Sequence, residues 1–150
     1  MLLYVSAFGL LVSTILITMM ILSAPEPLGS APQAMNFVNY LENANKAYIT
    51  ASPSSGTANI AVSTPSGMVF NTKWKNLTID NKFYVYSAVP ASQIAADFVG
   101  EVMVMSGNNI TLGLKENGKF SSMISGIGVS PISLPSVIPD GAIVSINGSL

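Results

Sequence analysis

The apolar and polar positions divide the chain into an unbroken apolar segment, a short junction and a longer stretch of amphipathic elements. Residues 2–23 contain no charged side chain. As a helix they would span about 33 Å, close to the ~30 Å hydrocarbon core of a bilayer. The segment lacks the basic start and the short apolar core of a secretory signal peptide. We therefore predict a retained transmembrane anchor over residues 1–23, with cleavage after Ala24 as the alternative.

The junction, residues 24–30, interrupts any helix that continues from the anchor. Two prolines and a glycine break the helical pattern: Pro25, Pro27 and Gly29. Pro25 would also follow the bond cleaved after Ala24, which disfavours cleavage. The pattern predicts a hinge. The α-amino group before the anchor and Glu26 after it favour a cytoplasmic N-terminus and a periplasmic main domain.

A new amphipathic helix is predicted over residues 31–49. Ser30 and Gln33 have the spacing of a capping box, with Ser30 as the N-cap. Apolar residues then recur at helical spacing, at Ala34, Phe37, Val38, Leu41, Ala44 and Tyr48. Such an apolar face needs a sheet to cover it.

Alternating apolar and polar residues predict several strands after this helix. Residues 57–63 and 68–74 are predicted to pair around the turn 64–67, and residues 82–88 follow as a third strand. A hairpin of residues 110–115 and 119–124 is predicted around Asn117-Gly118. A late strand is predicted over residues 142–147.

A second helix is predicted from Pro90 to about Met105, although residues 102–105 fit a strand equally well. The predicted fold class is therefore α+β. It consists of a transmembrane helix (1–23), a Pro/Gly hinge (24–30) and an extracytoplasmic domain (31–150) in which an amphipathic helix packs on a small antiparallel sheet.

Composition excludes several functions. Only 9% of the residues are charged and the net charge is −1, which argues against nucleic-acid binding. The chain contains no Cys and no His, and its six basic residues are all Lys. The absence of His removes the commonest general base and metal ligand. We predict no cofactor and no metal.

Two groups of residues are catalytic candidates. Asp97 and Glu101 lie one helical turn apart, as an acid/base pair would, but they also fit a solvated helix face. Lys119 with Ser121 or Ser122 resembles a serine–lysine pair, but nothing supplies an oxyanion hole. We therefore predict that the protein is not an enzyme.

Two sets of residues are candidates for protein contacts. Ser6, Gly9 and Ser13 share one face of the predicted anchor, where small residues allow close helix packing and hence a homo-oligomer. Trp74, Tyr84 and Tyr86 lie on neighbouring predicted strands and are candidate docking aromatics. The alternative is that these aromatics close the core beneath a helix.

An apolar anchor, an amphipathic helix and an antiparallel sheet also make up type IV pilins, but the pilin marks are missing. No basic leader ends in Gly, and the first acidic residue is Glu26, beyond the anchor. The chain more closely resembles the PilM family of type IVb (thin) pilus systems. The likeness covers the anchor near Met1, the helix from Ala34-Met35-Asn36-Phe37 to Tyr48, and a small Cys-free, β-rich remainder.

This resemblance implies an inner-membrane component of the pilus assembly or pilin transport apparatus. The anchor, a sheet with exposed edges and the lack of a catalytic set favour a non-enzymatic scaffold. Its expected partners are other pilus assembly proteins in the membrane or periplasm. A minor pilin or pseudopilin incorporated into a fibre is the first alternative. A membrane-anchored hydrolase is the second.

Overall fold

The computed structural model describes residues 29–107, 111–123 and 132–147. These residues form two helices on a five-stranded antiparallel sheet, and this part of the predicted α+β class is confirmed. The helices are α1 (Ser30–Ala51) and α2 (Phe98–Ser106). The strands are β1 (Trp74–Ile79), β2 (Lys82–Ser87), β3 (Leu112–Glu116), β4 (Lys119–Ser122) and β5 (Ile143–Asn147).

Helix α1 extends the predicted range of 31–49 by one residue at its start and two at its end. The predicted capping box is wrong, because Gly29 is the N-cap, and it makes no side-chain cap. The side-chain oxygen of Gln33 instead accepts a hydrogen bond from Asn71. Ser52 is the C-cap of the helix. It has a left-handed backbone (φ 44°), and its N–H donates to the carbonyl of Tyr48.

The strand order is β1-β2-β5-β3-β4, and every neighbouring pair is antiparallel. Two tight turns join β1 to β2 and β3 to β4, at Asp80-Asn81 and Asn117-Gly118. All four turn residues have positive φ, as the twist-matched hairpin turn requires. The predicted hairpin and the late strand are confirmed. The late strand, β5, lies at the centre of the sheet.

The helices cover one face of the sheet. Beneath them, Phe37 of α1 meets the rings of Trp74 and Phe98 edge-on, with ring centroids 5.0 and 6.1 Å away. Trp74 and Phe98 stack at 5.7 Å. Aromatic pairs with these geometries stabilise beyond the area that they bury. This cluster fixes α2 beside α1.

The opposite face of the sheet carries a second apolar cluster. Tyr84 and Tyr86 of β2 lie in it with Val144 and Ile146 of β5. The segment 132–142 contributes Leu134, Ile138 and Ala142 to the same cluster. Both faces of the sheet therefore have an apolar core, as the near-continuous burial of β2 and β5 requires.

Two further predictions are wrong in detail. The second helix does not run continuously from Pro90: a 3-10 turn covers Ala91–Gln93, and α2 begins only at Phe98. Residues 102–105 are helical, so the alternative of a strand there is wrong. Residues 57–63 and 68–73 belong to no strand, and β1 begins at Trp74.

The prediction that the sheet has exposed edges is also wrong. Along β1, the N–H of Asn59 bonds to the Asn76 carbonyl, and the Thr78 N–H bonds to the Thr57 carbonyl, both at 2.8 Å. Along β4, the N–H of Phe120 bonds to the Ile132 carbonyl at 2.8 Å. Irregular segments therefore occupy both outer edges, which is a common protection against unwanted strand pairing.

The predicted anchor and the hinge up to residue 28 lie outside the described residues. Within the described ranges, no helix is both long and apolar enough to cross a membrane.

Candidate interaction surface

An open, mainly apolar groove on the described surface is bounded by two extended segments. We call residues 57–63 the first arm and residues 68–73 the second arm; the turn 64–67 joins them. The groove has a volume of about 400 Å³. It is lined by Tyr40 of α1, by Ile60, Val62 and Thr64 on the side of the first arm, and by Met68, Val69 and Phe70 of the second. We refer to it as the two-armed groove.

An asparagine of β1 holds the first arm through hydrogen bonds to the backbone of Ile60. The side chain of Asn76 accepts a hydrogen bond from the N–H of Ile60 at 2.7 Å and donates one to its carbonyl at 3.2 Å. It also donates to the hydroxyl of Tyr40 at 2.8 Å. A single buried amide thus ties the first arm, β1 and α1 together.

An asparagine of α1 holds the second arm in the same manner. The side-chain oxygen of Asn36 accepts from the N–H of Asn71 at 3.0 Å and from the indole N–H of Trp74 at 2.6 Å. Its amide nitrogen donates to the carbonyl of Val69 at 2.9 Å. Because Asn76 of β1 holds the first arm and Asn36 of α1 holds the second, the relative position of the two arms follows from the packing of α1 on β1.

The groove itself is uncharged. Residues 57–72 contain no ionisable side chain, and Lys73 follows at the end of the second arm. Tyr40 is the groove's titratable group, and burial raises the pKa of its hydroxyl, with the hydrogen bond from Asn76 opposing the rise. Tyr40 therefore stays neutral at physiological pH. Its ring meets that of Phe70 edge-on, with centroids 5.2 Å apart.

Several apolar side chains of the arms are at least partly open to solvent. Val69 is 85% exposed, and Ile60, Val62, Met68 and Phe70 are half-buried. Single exposed apolar residues are ordinary, but a contiguous uncharged patch is typical of a contact surface.

The three aromatic residues predicted as a docking patch are not brought together. Trp74 is 3% exposed and lies under the helices. Tyr84 and Tyr86 are buried in the cluster on the opposite face of the sheet. Burial raises the pKa of both tyrosine hydroxyls. The predicted packing face, Ser6, Gly9 and Ser13, lies outside the described residues.

The residues weighed as acid/base candidates flank the start of α2. Asp97 is exposed and precedes the helix with a left-handed backbone (φ 58°). Glu101 is half-buried one turn later, and its N–H donates to the Asp97 carbonyl at 3.0 Å. Within the described ranges, no three His, Cys, Asp or Glu side chains are close enough to hold a metal ion.

The serine–lysine candidates lie in the hairpin of β3 and β4. Lys119 is exposed opposite Glu116, and Ser121 and Ser122 are half-buried on opposite faces of β4. The lysine that is buried in this hairpin, Lys115, was not predicted from the sequence.

Lys115 is 5% exposed, and its ammonium donates to the carbonyls of Ile138 at 2.6 Å and Pro135 at 3.1 Å. The carboxylate of Asp140 lies 3.9 Å away. These contacts hold the segment 132–142 on the sheet. In the sequence Lys115 stands between Leu114 and Glu116 in a predicted hairpin, so nothing local indicates that its side chain is buried.

Comparison with known proteins gives two matches. The PilM family model matches residues 11–146 of the chain. Among solved structures, the crystal structure of a protein described as PilM from Escherichia coli B7A has the same fold, with a TM-score of 0.54. That match covers 79% of this chain and 90% of the other, at 22% sequence identity. No curated protein matches the chain.

Proposed function

The chain belongs to the PilM family, whose members have a role in type IV pilus biogenesis, and from this premise we propose that it is a membrane-anchored scaffold. In this proposal the protein is not an enzyme. It holds other assembly proteins of a type IVb pilus assembly or pilin transport apparatus in place through protein–protein contacts. The alternatives of a fibre subunit and of a hydrolase are less well supported by the surface described above.

The observation that carries this proposal is the two-armed groove. It combines an uncharged lining with the exposed side chain of Val69, on a domain whose sheet edges are already occupied. Exposed apolar side chains lower the solubility of a protein, and a partner that covers them removes this effect. The groove is therefore the part of the described surface that is best suited to a partner protein.

The proposed location follows from the apolar residues 2–23. We place them in the bacterial inner membrane as a retained helix, with the N-terminus in the cytoplasm and the main domain in the periplasm. The small residues Ser6, Gly9 and Ser13 would then support pairing of two anchors. Partners are other pilus assembly proteins in the membrane or the periplasm.

Affinity purification of the full chain from native membranes, after mild chemical crosslinking, tests this function. We expect assembly proteins of the same pilus system to be recovered with it. The control is an unrelated single-pass protein of the same membrane, purified with the same tag. Recovery of the chain without any assembly protein, or with the same proteins as the control, would contradict the proposal.

A further inference from the structure

Beyond Asn59, which still bonds to β1, the two arms have the residue pattern of strands without the hydrogen bonds of a sheet. Along the first arm, Ile60 and Val62 are half-buried, whereas Ala61 and Ser63 are exposed. This alternation is what predicts a strand from sequence. No hydrogen bond in the described loop joins the first arm to the second. The arms therefore lie on either side of a groove instead of pairing with each other.

Several backbone groups of the arms have no hydrogen-bond partner in the part of the chain that the structure describes. Ala61, Val62 and Ser63 make no hydrogen bond within the described residues, and neither does Phe70 of the second arm. Such groups bond to water in the free protein. They also form a template on which a further extended chain can pair.

From this arrangement we propose that the two-armed groove binds an extended, uncharged segment of a partner assembly protein. This inference rests on the proposed scaffold function and adds the chemistry of the partner. The segment lies between the arms, directs apolar side chains toward Tyr40, and pairs its backbone with residues 61–63. A helix would suit the groove less well, because its own backbone groups are already paired and would leave those of the arms unsatisfied.

The size and charge of the groove limit the occupant. From Ile60 to Thr64 an extended chain spans about 13 Å at ~3.3 Å per residue, so four or five residues of the partner fit alongside. The lining offers no charge to balance one on the partner. A charged side chain pointing into the groove would lose hydration without gaining an ion pair. The matching segment is therefore apolar and uncharged.

A photo-crosslinking amino acid at Val69 tests the proposal in the full chain, expressed with the pilus system in its native membrane. Ile49, which is 75% exposed at the other end of α1, is the matched control position. We expect the Val69 probe to crosslink an assembly protein within one uncharged segment of about five residues. Crosslinks to a charged or helical region, to a second copy of this chain, or no stronger than at Ile49 would overturn the proposal.

Substitutions in the first arm distinguish an effect on binding in the groove from an effect on folding. Val62→Lys places a charge in the lining, and we expect it to lower the crosslink yield at least about tenfold. Ala58→Lys, at an exposed position of the same arm outside both the groove lining and residues 61–63, is the matched control and should leave the yield unchanged. An unchanged yield with Val62→Lys would overturn the proposal.

The backbone pairing has its own test. Successive N–H groups of an extended chain point to opposite sides, so either Ala61→Pro or Val62→Pro removes a donor that faces the partner. We expect at least one of the two to lower the yield severalfold, with the fluorescence of Trp74 unchanged as evidence of folding. If neither does so, the backbone pairing is refuted. If the wild-type chain purifies with no assembly protein at all, the scaffold function fails as well.

Discussion

Replacement of Asn36 by alanine should release the second arm from α1. The side chain makes three hydrogen bonds, to the N–H of Asn71, the indole N–H of Trp74 and the carbonyl of Val69. Each contributes about 0.5–1.5 kcal/mol net, and the buried indole N–H loses its partner. The bond to the Val69 carbonyl is exposed to water, which can replace it. We therefore expect a loss of about 2–3 kcal/mol in the free energy of unfolding.

Asn39→Ala is the matched control on the same helix. The side chain of Asn39 donates only to the carbonyl of Met35, one turn back and exposed. Alanine also has the better helix propensity, by up to about 0.7 kcal/mol. The expected change is within about 0.5 kcal/mol of zero. The comparison therefore separates the hydrogen bonds of the arm from the general cost of altering α1.

Urea unfolding of the full chain in a mild detergent, followed by fluorescence, measures both variants. Trp74 is the only tryptophan in the sequence, so the signal arises where Asn36 acts. The Asn36→Ala midpoint should shift to lower urea with an unchanged slope. Faster hydrogen exchange at the N–H of Asn71 should accompany it. Equal midpoints for Asn36→Ala and Asn39→Ala would refute the reasoning.

Four further perturbations have expected outcomes. Gly113→Ala should destabilise by about 3 kcal/mol or more in the same urea assay, because its Cβ would lie 2.3 Å from a carbonyl oxygen of the neighbouring strand. Gly100→Ala, with open space around it in α2, should instead stabilise by about 0.5–1 kcal/mol. Lys115→Met should cost about 2–4 kcal/mol by leaving two carbonyls without their donor, whereas the exposed Lys119→Met should cost less than about 0.5 kcal/mol. Stability should fall as the pH rises above the ordinary tyrosine pKa of 10.0, because the raised pKa of Tyr40 makes the folded state hold a proton that the unfolded state has lost. Tyr40→Phe should reduce that fall in thermal melts, and an equal fall in both proteins would contradict it.

Patterns local to one element predicted most of the fold. The apolar spacing of α1 and the Asn117-Gly118 turn need no distant partner to be recognised, and both are confirmed. The central position of β5 was not predictable, because it depends on pairing with β2 and β3, which are far away in sequence.

The arms show where alternation alone is insufficient. Their residues alternate as those of strands do, but Asn36 and Asn76 take the backbone bonds that a strand ladder would have used. Asparagine is common in turns and on exposed faces, so neither residue was a signal for such a contact. The groove, which is the candidate site, depends on these two side chains and could not be predicted without the structure.

The most direct test of the account is piliation in a strain whose only copy of this chain carries Val62→Lys. Membrane levels should match the wild type, because Val62 is only half-buried, and Ala58→Lys serves as the control strain. The account predicts that Val62→Lys abolishes surface pili while Ala58→Lys leaves them at the wild-type level. Normal piliation with Val62→Lys would contradict the claim that the protein acts as a scaffold through its two-armed groove.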